Sequence, residues 1–326
     1  MSDSRPRLTA ICPEPQNYSA AGLAAIGEIA ILESGSMPYE ELLERIPAFD
    51  LLFIRLQTRV TKELLDAGSR LRAVVSPTTG LNHIDLEAAA EHGVEVIHLK
   101  GQTEFLRSIP STAEHTWALL LALVRHLPAA FASVRAGAWD QEPYRGHELH
   151  EKRLGIVGCG RLGAMVAHYG RAFGMKIATF DPYATFIPSY VERCETLQEL
   201  LSRSDILSIH VPLNEETTGM IGRGEIGRLP AGSVIVNTSR GEVIEEDALV
   251  DALESGKVSG AAVDVVQHEL EPNRGAGPLI AYAGTHENLI VTPHIGGATF
   301  EAVEKTDLNV VLRLAEWLGI ARPEDG

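Results

Sequence analysis

Three charged side chains stand just past apolar, β-branched segments of this 326-residue chain. Arg240 follows SVIVNTS, Glu269 follows GAAVDVV and a short tail, and His294 follows NLIVTP. In open parallel sheets, ligands bind outside the carboxyl ends of the strands, so side chains in these places can meet one ligand. We therefore treat the three residues as one candidate constellation, assembled from distant parts of the chain.

The residue types suit hydride transfer to a carbonyl carbon that is bonded to a carboxylate. A guanidinium can bind the carboxylate through two hydrogen bonds and polarise the carbonyl. An imidazolium can protonate the new alkoxide. A carboxylate on the other ring nitrogen orients the imidazole and favours its charged form. We predict that Arg240 binds the substrate, that His294 is the acid, and that Glu269 is its partner.

A glycine-rich turn, GCGRLG, begins at Gly158, between a predicted strand and a predicted helix. In dinucleotide-binding proteins the first glycine makes the tight turn, and the second, here Gly160, lets the backbone approach a pyrophosphate. The third, here Gly163, lets the helix and the strand pack closely. The amides of Arg161 and Leu162 then lie at a helix N-terminus, which favours phosphate. We predict a dinucleotide site.

An acidic residue, Asp181, ends the next predicted strand, MKIATFD. A carboxylate in that place accepts hydrogen bonds from the adenosine ribose and repels a 2′-phosphate. Pro182 follows, and neither Arg nor Lys stands beside Asp181 to offset the repulsion. The sequence therefore predicts NAD, and not NADP, as the cofactor.

Short β-branched runs alternate with helical stretches in two rounds, which is typical of parallel sheets with helices on both faces. The first round has predicted strands at 8–11, 28–32, 50–56, 71–77 and 94–99. The second has predicted strands at 152–158, 175–180, 206–210, 233–238, 260–266 and 288–293. Six strands with helical connections suit a complete doubly wound dinucleotide domain.

We predict an α/β fold in which a Rossmann domain, residues 105–295, is inserted in a smaller flavodoxin-like substrate domain, residues 1–104 and 296–326. One long apolar helix is predicted at 111–127, with a capping box at its start. Its apolar circumference predicts burial between layers or at a subunit contact. A final amphipathic helix, 300–318, is long enough to return to the first domain.

The composition excludes several classes of partner. Acidic side chains outnumber basic ones by 44 to 28, a net charge of −16, which disfavours nucleic acid and anionic membranes. The cysteines are odd in number and far apart, which disfavours a disulfide framework and a zinc site, so we expect no metal: Cys12, Cys159 and Cys194. The start of the chain does not resemble a signal peptide, and we predict a cytoplasmic protein.

Several stretches of the chain resemble the D-isomer-specific 2-hydroxyacid dehydrogenases. They are GCGRLG, VNTSRGEVI (236–244), GAAVDVVQHELEP (260–272) and VTPHIGGAT (291–299). The resemblance covers nearly the whole chain, from FIRLQTRVT (53–61) to the final helix. It implies an NAD-dependent enzyme, usually dimeric, that interconverts a small D-2-hydroxy acid and its 2-oxo acid.

The resemblance also implies roles for individual residues. Arg240 binds the substrate carboxylate, and Glu269 with His294 forms the proton relay. Further residues are implied to contact the cofactor. Asp264, Gly296 and Gly297 are implied to lie at its nicotinamide end, and Val211 and Thr238 along its ribose and adenine side. Ser239 is implied to be a further cofactor contact. Thr79 and Gly80 resemble the loop that binds the substrate carboxylate.

Arg55 matches the place where phosphoglycerate dehydrogenases hold a basic residue near the substrate phosphate. It implies an anionic tail on the substrate, as in 3-phosphoglycerate. The resemblance is to a short form without regulatory domains, because the sequence stops at Gly326, and it implies no serine-type feedback.

The sequence departs from the family pattern in two places, and two alternative functions stay open. The first departure is DVVQ (264–267), which replaces the common DVFE. The second is the hinge at 101–110, which is longer than usual. This longer hinge either changes substrate choice or is an inert loop. One alternative is a non-catalytic NAD(H)-sensing scaffold, like the C-terminal-binding-protein co-repressors. The other is a phosphite dehydrogenase, which has a comparable charged set. Formate dehydrogenase has Gln where this chain has Glu269.

Overall fold

The computed structural model describes residues 7–269, 271 and 277–320; residues 321–326 of the predicted substrate domain lie outside this range. The strands are β1 (Leu8–Cys12), β2 (Ala30–Ser34), β3 (Leu51–Phe53), β4 (Ala73–Val75), β5 (Glu95–Ile97), β6 (Arg153–Val157), β7 (Lys176–Phe180), β8 (Glu192–Arg193), β9 (Ile206–Ile209), β10 (Ser233–Asn237), β11 (Val258–Val263) and β12 (Leu289–Val291). The helices are α1 (Ala20–Ile29), α2 (Tyr39–Arg45), α3 (Lys62–Ala67), α4 (Leu86–Glu91), α5 (Thr103–Leu106), α6 (Ser111–Val124), α7 (Leu127–Arg135), α8 (Arg161–Ala172), α9 (Leu197–Ser202), α10 (Arg223–Arg228), α11 (Glu246–Glu254), α12 (Pro278–Ala283) and α13 (Phe300–Leu318).

The chain divides into two compact units. The first is formed by residues 1–108 and 298–326, and the second by residues 109–297. Each unit holds one parallel sheet, so the two rounds of strand and helix in the sequence correspond to two sheets. The predicted α/β class is confirmed.

The first unit has a five-stranded sheet in the order β2-β1-β3-β4-β5, with all strands parallel. This is the flavodoxin-like order, as predicted. Its central strands are mostly apolar, as expected of strands covered on both faces, and Ile11, Leu52 and Val74 are completely buried. The predicted last helix is α13, which packs on α1 through its apolar stripe, including Val310 and Leu314.

The second unit has a seven-stranded parallel sheet in the order β12-β11-β10-β9-β6-β7-β8. The order reverses direction between β6 and β9, which is the switch point where doubly wound proteins bind dinucleotides. The six predicted strands are all present. The seventh, β8, has only two residues at the sheet edge, which is too short to leave a pattern in the sequence.

The helix predicted for 111–127 begins at the predicted residue, but the predicted cap and the predicted end are wrong. Pro110 occupies the N-cap position, so Ser111 is the first helical residue and not the predicted cap. The helix stops at Val124, because the ring of Pro128 would clash with the carbonyl four residues earlier if the helix continued. A second helix, α7, then begins and was not predicted. The predicted burial of α6 is confirmed within the second unit.

Among the described residues, no single helix has both the length and the apolar character to cross a membrane. The segments 103–124 and 127–135 reach the length and composition of a membrane span only when they are taken together, and the chain bends by 64° between them.

Candidate active site

His294 and Glu269 form a hydrogen-bonded pair in the second unit. Nδ1 of His294 lies 2.7 Å from Oε1 of Glu269, and the two side chains are only 24% and 22% exposed. An ionised carboxylate can only accept hydrogen bonds, so Nδ1 carries the hydrogen and donates it. The other ring nitrogen, Nε2, is thereby left to exchange a proton with a ligand.

The backbone of His294 is held in a rare conformation. Its φ of 54° lies in the left-handed region, which costs a non-glycine residue about 1–3 kcal/mol unless the surroundings impose it. Here Asp264 imposes it. The amide of His294 donates to the Asp264 carbonyl at 2.8 Å, and the amides of Ile295 and Gly296 donate to its carboxylate at 2.9 and 2.7 Å.

Asp264 is buried, and its charge is maintained by its partners. Burial raises the pKa of Asp264, but hydrogen bonds from His115, Thr292, Ile295 and Gly296 lower it further than burial raises it, so the net shift is downward. The side chain is therefore an acceptor that anchors the His294 loop. The sequence reasoning assigned Asp264 to the cofactor and did not find this second role.

Arg240 lies in the loop that follows β10. Asn237 shapes this loop, because its side chain donates to the Arg240 carbonyl at 2.8 Å and accepts from the Ser239 amide at 3.0 Å. Burial lowers the pKa of Arg240, while the negative charges of Glu269 and Glu242 oppose the shift. Arginine stays charged in proteins. The structure thus brings a cationic Arg240 within the electrostatic reach of Glu269.

Gly241 explains how the loops of Arg240 and Glu269 come together. A Cβ at Gly241 would lie 2.0 Å from the carbonyl carbon of Val266 and 2.4 Å from the amide nitrogen of Gln267. Both are backbone atoms and cannot move aside as a flexible side chain can. Only glycine lets the loop after β10 cross so close to the loop after β11.

The glycine-rich turn has the geometry that its sequence predicts. Gly158 has a φ of 88°, and a Cβ at Gly163 would lie 2.0 Å from the Gly158 carbonyl oxygen, so helix and turn pack without room for a side chain. Beside Gly160 the space is open, since a Cβ there would meet no atom within 4 Å. A pyrophosphate fits this arrangement, because the N-terminus of α8 begins at the next residue, Arg161.

The side chain of Arg161 folds back on the chain. Its guanidinium donates to the carbonyl of Ile109 at 2.9 Å, and burial lowers its pKa. A phosphate at this turn would therefore bind to the backbone amides of residues 161 and 162, as the sequence predicted. The guanidinium of Arg161 instead binds the chain just before α6.

Asp181 lies at the end of β7, one strand from the glycine-rich turn, and has three backbone partners. Its carboxylate accepts from the amide of Cys159 at 2.8 Å and from the amides of Tyr183 and Ala184, each at 2.9 Å. A carboxylate offers about four lone-pair positions, so one remains for a ribose hydroxyl. Asp181 consequently ties the turn to the neighbouring loop as well as presenting a negative charge there.

The remaining cofactor residues of the prediction border the same edge of this sheet. Val211 packs against Gly158 at the switch point. The Thr238 hydroxyl lies 2.8 Å from the Thr116 hydroxyl, and the Ser239 hydroxyl donates to Asn237 at 2.7 Å. Gly296 is buried against Asp264 and Thr112, whereas Gly297 is exposed.

Three of the four predicted substrate residues, Arg55, Thr79 and Gly80, lie in the first unit, and Arg240 lies in the second. Thr79 and Gly80 belong to the loop after β4, where the Thr78 hydroxyl donates to the Gly80 carbonyl at 2.9 Å. Arg55 follows β3, and one end of its guanidinium, Nη2, is already hydrogen-bonded. It donates to Asp307 and to Thr306, each at 2.9 Å, and is only 15% exposed.

Asp307 is a functional candidate that the sequence reasoning missed. It is completely buried, accepts from the Ser19 amide at 2.7 Å, and neutralises Arg55. Burial raises the pKa of Asp307, and the charge of Arg55 opposes this shift. The signal in the sequence was an acid on the apolar stripe of the last helix.

The comparisons with known proteins agree with this geometry. Residues 117–296 match the profile described as D-isomer specific 2-hydroxyacid dehydrogenase, NAD binding domain. Hydroxypyruvate reductase of Thermotoga maritima is 36% identical over 307 residues, 94% of this chain and 97% of that protein. D-3-phosphoglycerate dehydrogenase of Methanocaldococcus jannaschii is 37% identical over 286 residues, 86% of this chain and 51% of that protein. The structure of D-lactate dehydrogenase from Aquifex aeolicus, solved with NAD and lactic acid, superposes with a TM-score of 0.82 at 28% identity and covers 95% of each chain.

The Rossmann sheet and its glycine-rich turn define a dinucleotide-binding domain. The chain belongs to the D-isomer specific 2-hydroxyacid dehydrogenase family. It is an NAD-dependent enzyme, as the sequence predicted. It spans nearly the whole of the hydroxypyruvate reductase and about half the length of the phosphoglycerate dehydrogenase.

Proposed function

We propose that this enzyme interconverts a small D-2-hydroxy acid and its 2-oxo acid, with Arg240, Glu269 and His294 as the catalytic residues. The observation that carries the proposal is the 2.7 Å hydrogen bond between His294 Nδ1 and Glu269, in the same unit as the half-buried Arg240. This set combines an anion-binding group with an oriented acid–base pair.

Each residue has a defined task in the reduction of the 2-oxo acid. Arg240 binds the substrate carboxylate through its fork of N–H donors and polarises the adjacent carbonyl. His294 donates the Nε2 proton to the carbonyl oxygen as it becomes an alkoxide. Glu269 stabilises the imidazolium and fixes its orientation. Bound NADH supplies the hydride when the cofactor is present.

The residues that we propose to bind the cofactor lie along the same edge of the sheet in the second unit. We propose that the amides after Gly160 bind the pyrophosphate and that Asp181 accepts from the adenosine ribose. The nicotinamide end would then be bordered by Asp264 and the loop from 296 to 297, and the ribose side by Val211 and the residues after β10, Thr238 and Ser239. The open space beside Gly160 supports this placement.

Two classes of substrate acid are candidates, and they differ in whether the tail of the acid is charged. The match of Arg55 to the basic residue of phosphoglycerate dehydrogenases supports an anionic tail, as in 3-phosphoglycerate, because a guanidinium can bind a phosphate. The ion pair between Arg55 and Asp307 favours the second class, small acids with an uncharged tail such as hydroxypyruvate, because the pair already neutralises this guanidinium.

A panel of acids tests the proposal. NADH absorbance is followed with hydroxypyruvate, glyoxylate, pyruvate and 3-phosphohydroxypyruvate, and NAD reduction is followed with D-3-phosphoglycerate and with phosphite. We expect turnover with at least one 2-oxo acid. A lower KM for the phosphorylated acid would assign the anionic tail, and a lower KM for hydroxypyruvate the uncharged one. Turnover with phosphite alone, or with none of these compounds, would contradict the proposed reaction.

We also propose that the enzyme is a homodimer that pairs through α7. This helix exposes one apolar face, with Leu127, Phe131 and Val134 each at least half exposed, and Trp139 beyond it is 92% exposed. Exposed apolar side chains that share one helix face are typical of a protein–protein interface. The acidic charge supports a protein without nucleic-acid or anionic-membrane partners, and the three free cysteines support the reducing cytoplasm.

Light scattering after gel filtration measures the assembly directly. The wild-type protein should have twice the 35.2 kDa mass of one chain. Phe131→Glu should yield monomers, because a charge in an apolar interface is costly. Phe186→Glu, at a residue 76% exposed outside this patch, is the matched control and should leave the mass unchanged. A dimer that survives Phe131→Glu would exclude α7 as the interface.

A further inference from the structure

The first turns of α6 contact the ends of three neighbouring strands in the second unit. Thr116 bonds to Thr238 after β10 at 2.8 Å, a contact already described. His115 reaches further, to Thr292 after β12 and to Asp264 after β11. The residues proposed for catalysis follow these same strands. The motif search in the sequence did not single out His115.

The hydrogen-bond directions around His115 follow from the single proton of a threonine hydroxyl. The Thr292 hydroxyl donates that proton to Oδ1 of Asp264 at 2.6 Å. It can therefore only accept from His115, whose Nε2 lies 3.0 Å away. His115 must carry its hydrogen on Nε2, which is also 3.2 Å from Oδ1 of Asp264.

His115 thus completes the hydrogen-bond network around the Asp264 carboxylate. Oδ1 accepts from Thr292 and Ile295, and Oδ2 accepts from Gly296, while Nε2 of His115, which donates its one hydrogen to Thr292, lies 3.2 Å from Oδ1. With these partners the carboxylate cannot rotate without losing several hydrogen bonds. Its fixed orientation holds the loop in which His294 adopts the left-handed backbone.

We propose that His115 is a positioning residue for proton transfer. Through Thr292 and Asp264 it keeps the His294 imidazole in the orientation that pairs it with Glu269. The side chain is only 17% exposed, and its contacts run through the loop and not to the reacting groups themselves. This inference rests on the proposed function, in which His294 is the acid.

The test compares His115→Leu with His115→Gln. Leucine fills a similar volume but donates no hydrogen bond, whereas the glutamine amide can place a donor near the position of Nε2. We expect His115→Leu to lower kcat roughly tenfold to a hundredfold, since small displacements at a reacting group have effects of this size. The KM for NADH should stay within about twofold of wild type. His115→Gln should recover most of kcat.

His168→Leu is the matched control, because His168 is an exposed histidine of α8 in the same unit, and its kcat should equal that of wild type. Thermal unfolding is recorded for each variant. Wild-type kcat in His115→Leu would overturn the proposal, and so would a loss that His115→Gln does not recover. Full activity in His294→Ala would instead refute the proposed function, so the two failures are distinguishable.

Discussion

His294→Ala should lower kcat for reduction of the 2-oxo acid by about 10²–10⁴-fold, the usual contribution of a positioned general acid. The physical reason is that the variant has no group at this place to deliver a proton to the alkoxide. NADH binding should change little, because the imidazole is assigned to the proton and not to the dinucleotide. Stopped-flow turnover and the quenching of protein fluorescence by NADH measure the two quantities separately.

Two further variants make this result specific. Glu269→Gln keeps a side-chain oxygen that can accept from Nδ1 of His294 but removes the negative charge, so its activity should fall between wild type and His294→Ala. His168→Ala removes an exposed histidine of the same unit and should be fully active. If turnover survives in His294→Ala, the proton comes from another group and the proposed relay is wrong.

Loss of the Asp181 charge should weaken the preference for NAD over NADP by about 10²-fold, since placing like charges side by side costs several kcal/mol. Asp181→Asn is the sharper variant. Its side-chain oxygen can still accept from the amides of Tyr183 and Ala184, which the wild-type Oδ1 does at 2.9 Å. Asp181→Ala removes these bonds as well. The measurement is kcat/KM for each dinucleotide at a saturating 2-oxo acid.

Comparing the two variants separates charge from structure. Both variants lose the bond from the Cys159 amide, but only Asp181→Ala also loses the bonds from the amides of Tyr183 and Ala184, so it should unfold at a lower temperature than Asp181→Asn. Both should accept NADP better than wild type does. An unchanged preference in a folded Asp181→Asn would show that the carboxylate supports only the turn and does not face the ribose.

Much of this protein could be read from local patterns. The glycine-rich turn predicted its own geometry, because Gly158 and Gly163 are required by backbone conformation and contact within one strand–turn–helix unit. The strand and helix alternation predicted both sheets, and the amphipathic period predicted the last helix at 300–318. The family motifs identified the class of enzyme, which the comparisons confirm.

Other features depend on contacts between distant parts of the chain and leave no local pattern. The crossing at Gly241, the donors around Asp264 and the ion pair of Arg55 with Asp307 each join segments that are far apart in sequence. The sequence predicted that Arg240, Glu269 and His294 follow strand ends. The 2.7 Å hydrogen bond between Glu269 and His294, however, depends on tertiary packing. A residue type states what a side chain can do, whereas its partners, which folding selects, govern its charge, its orientation and its access to a ligand.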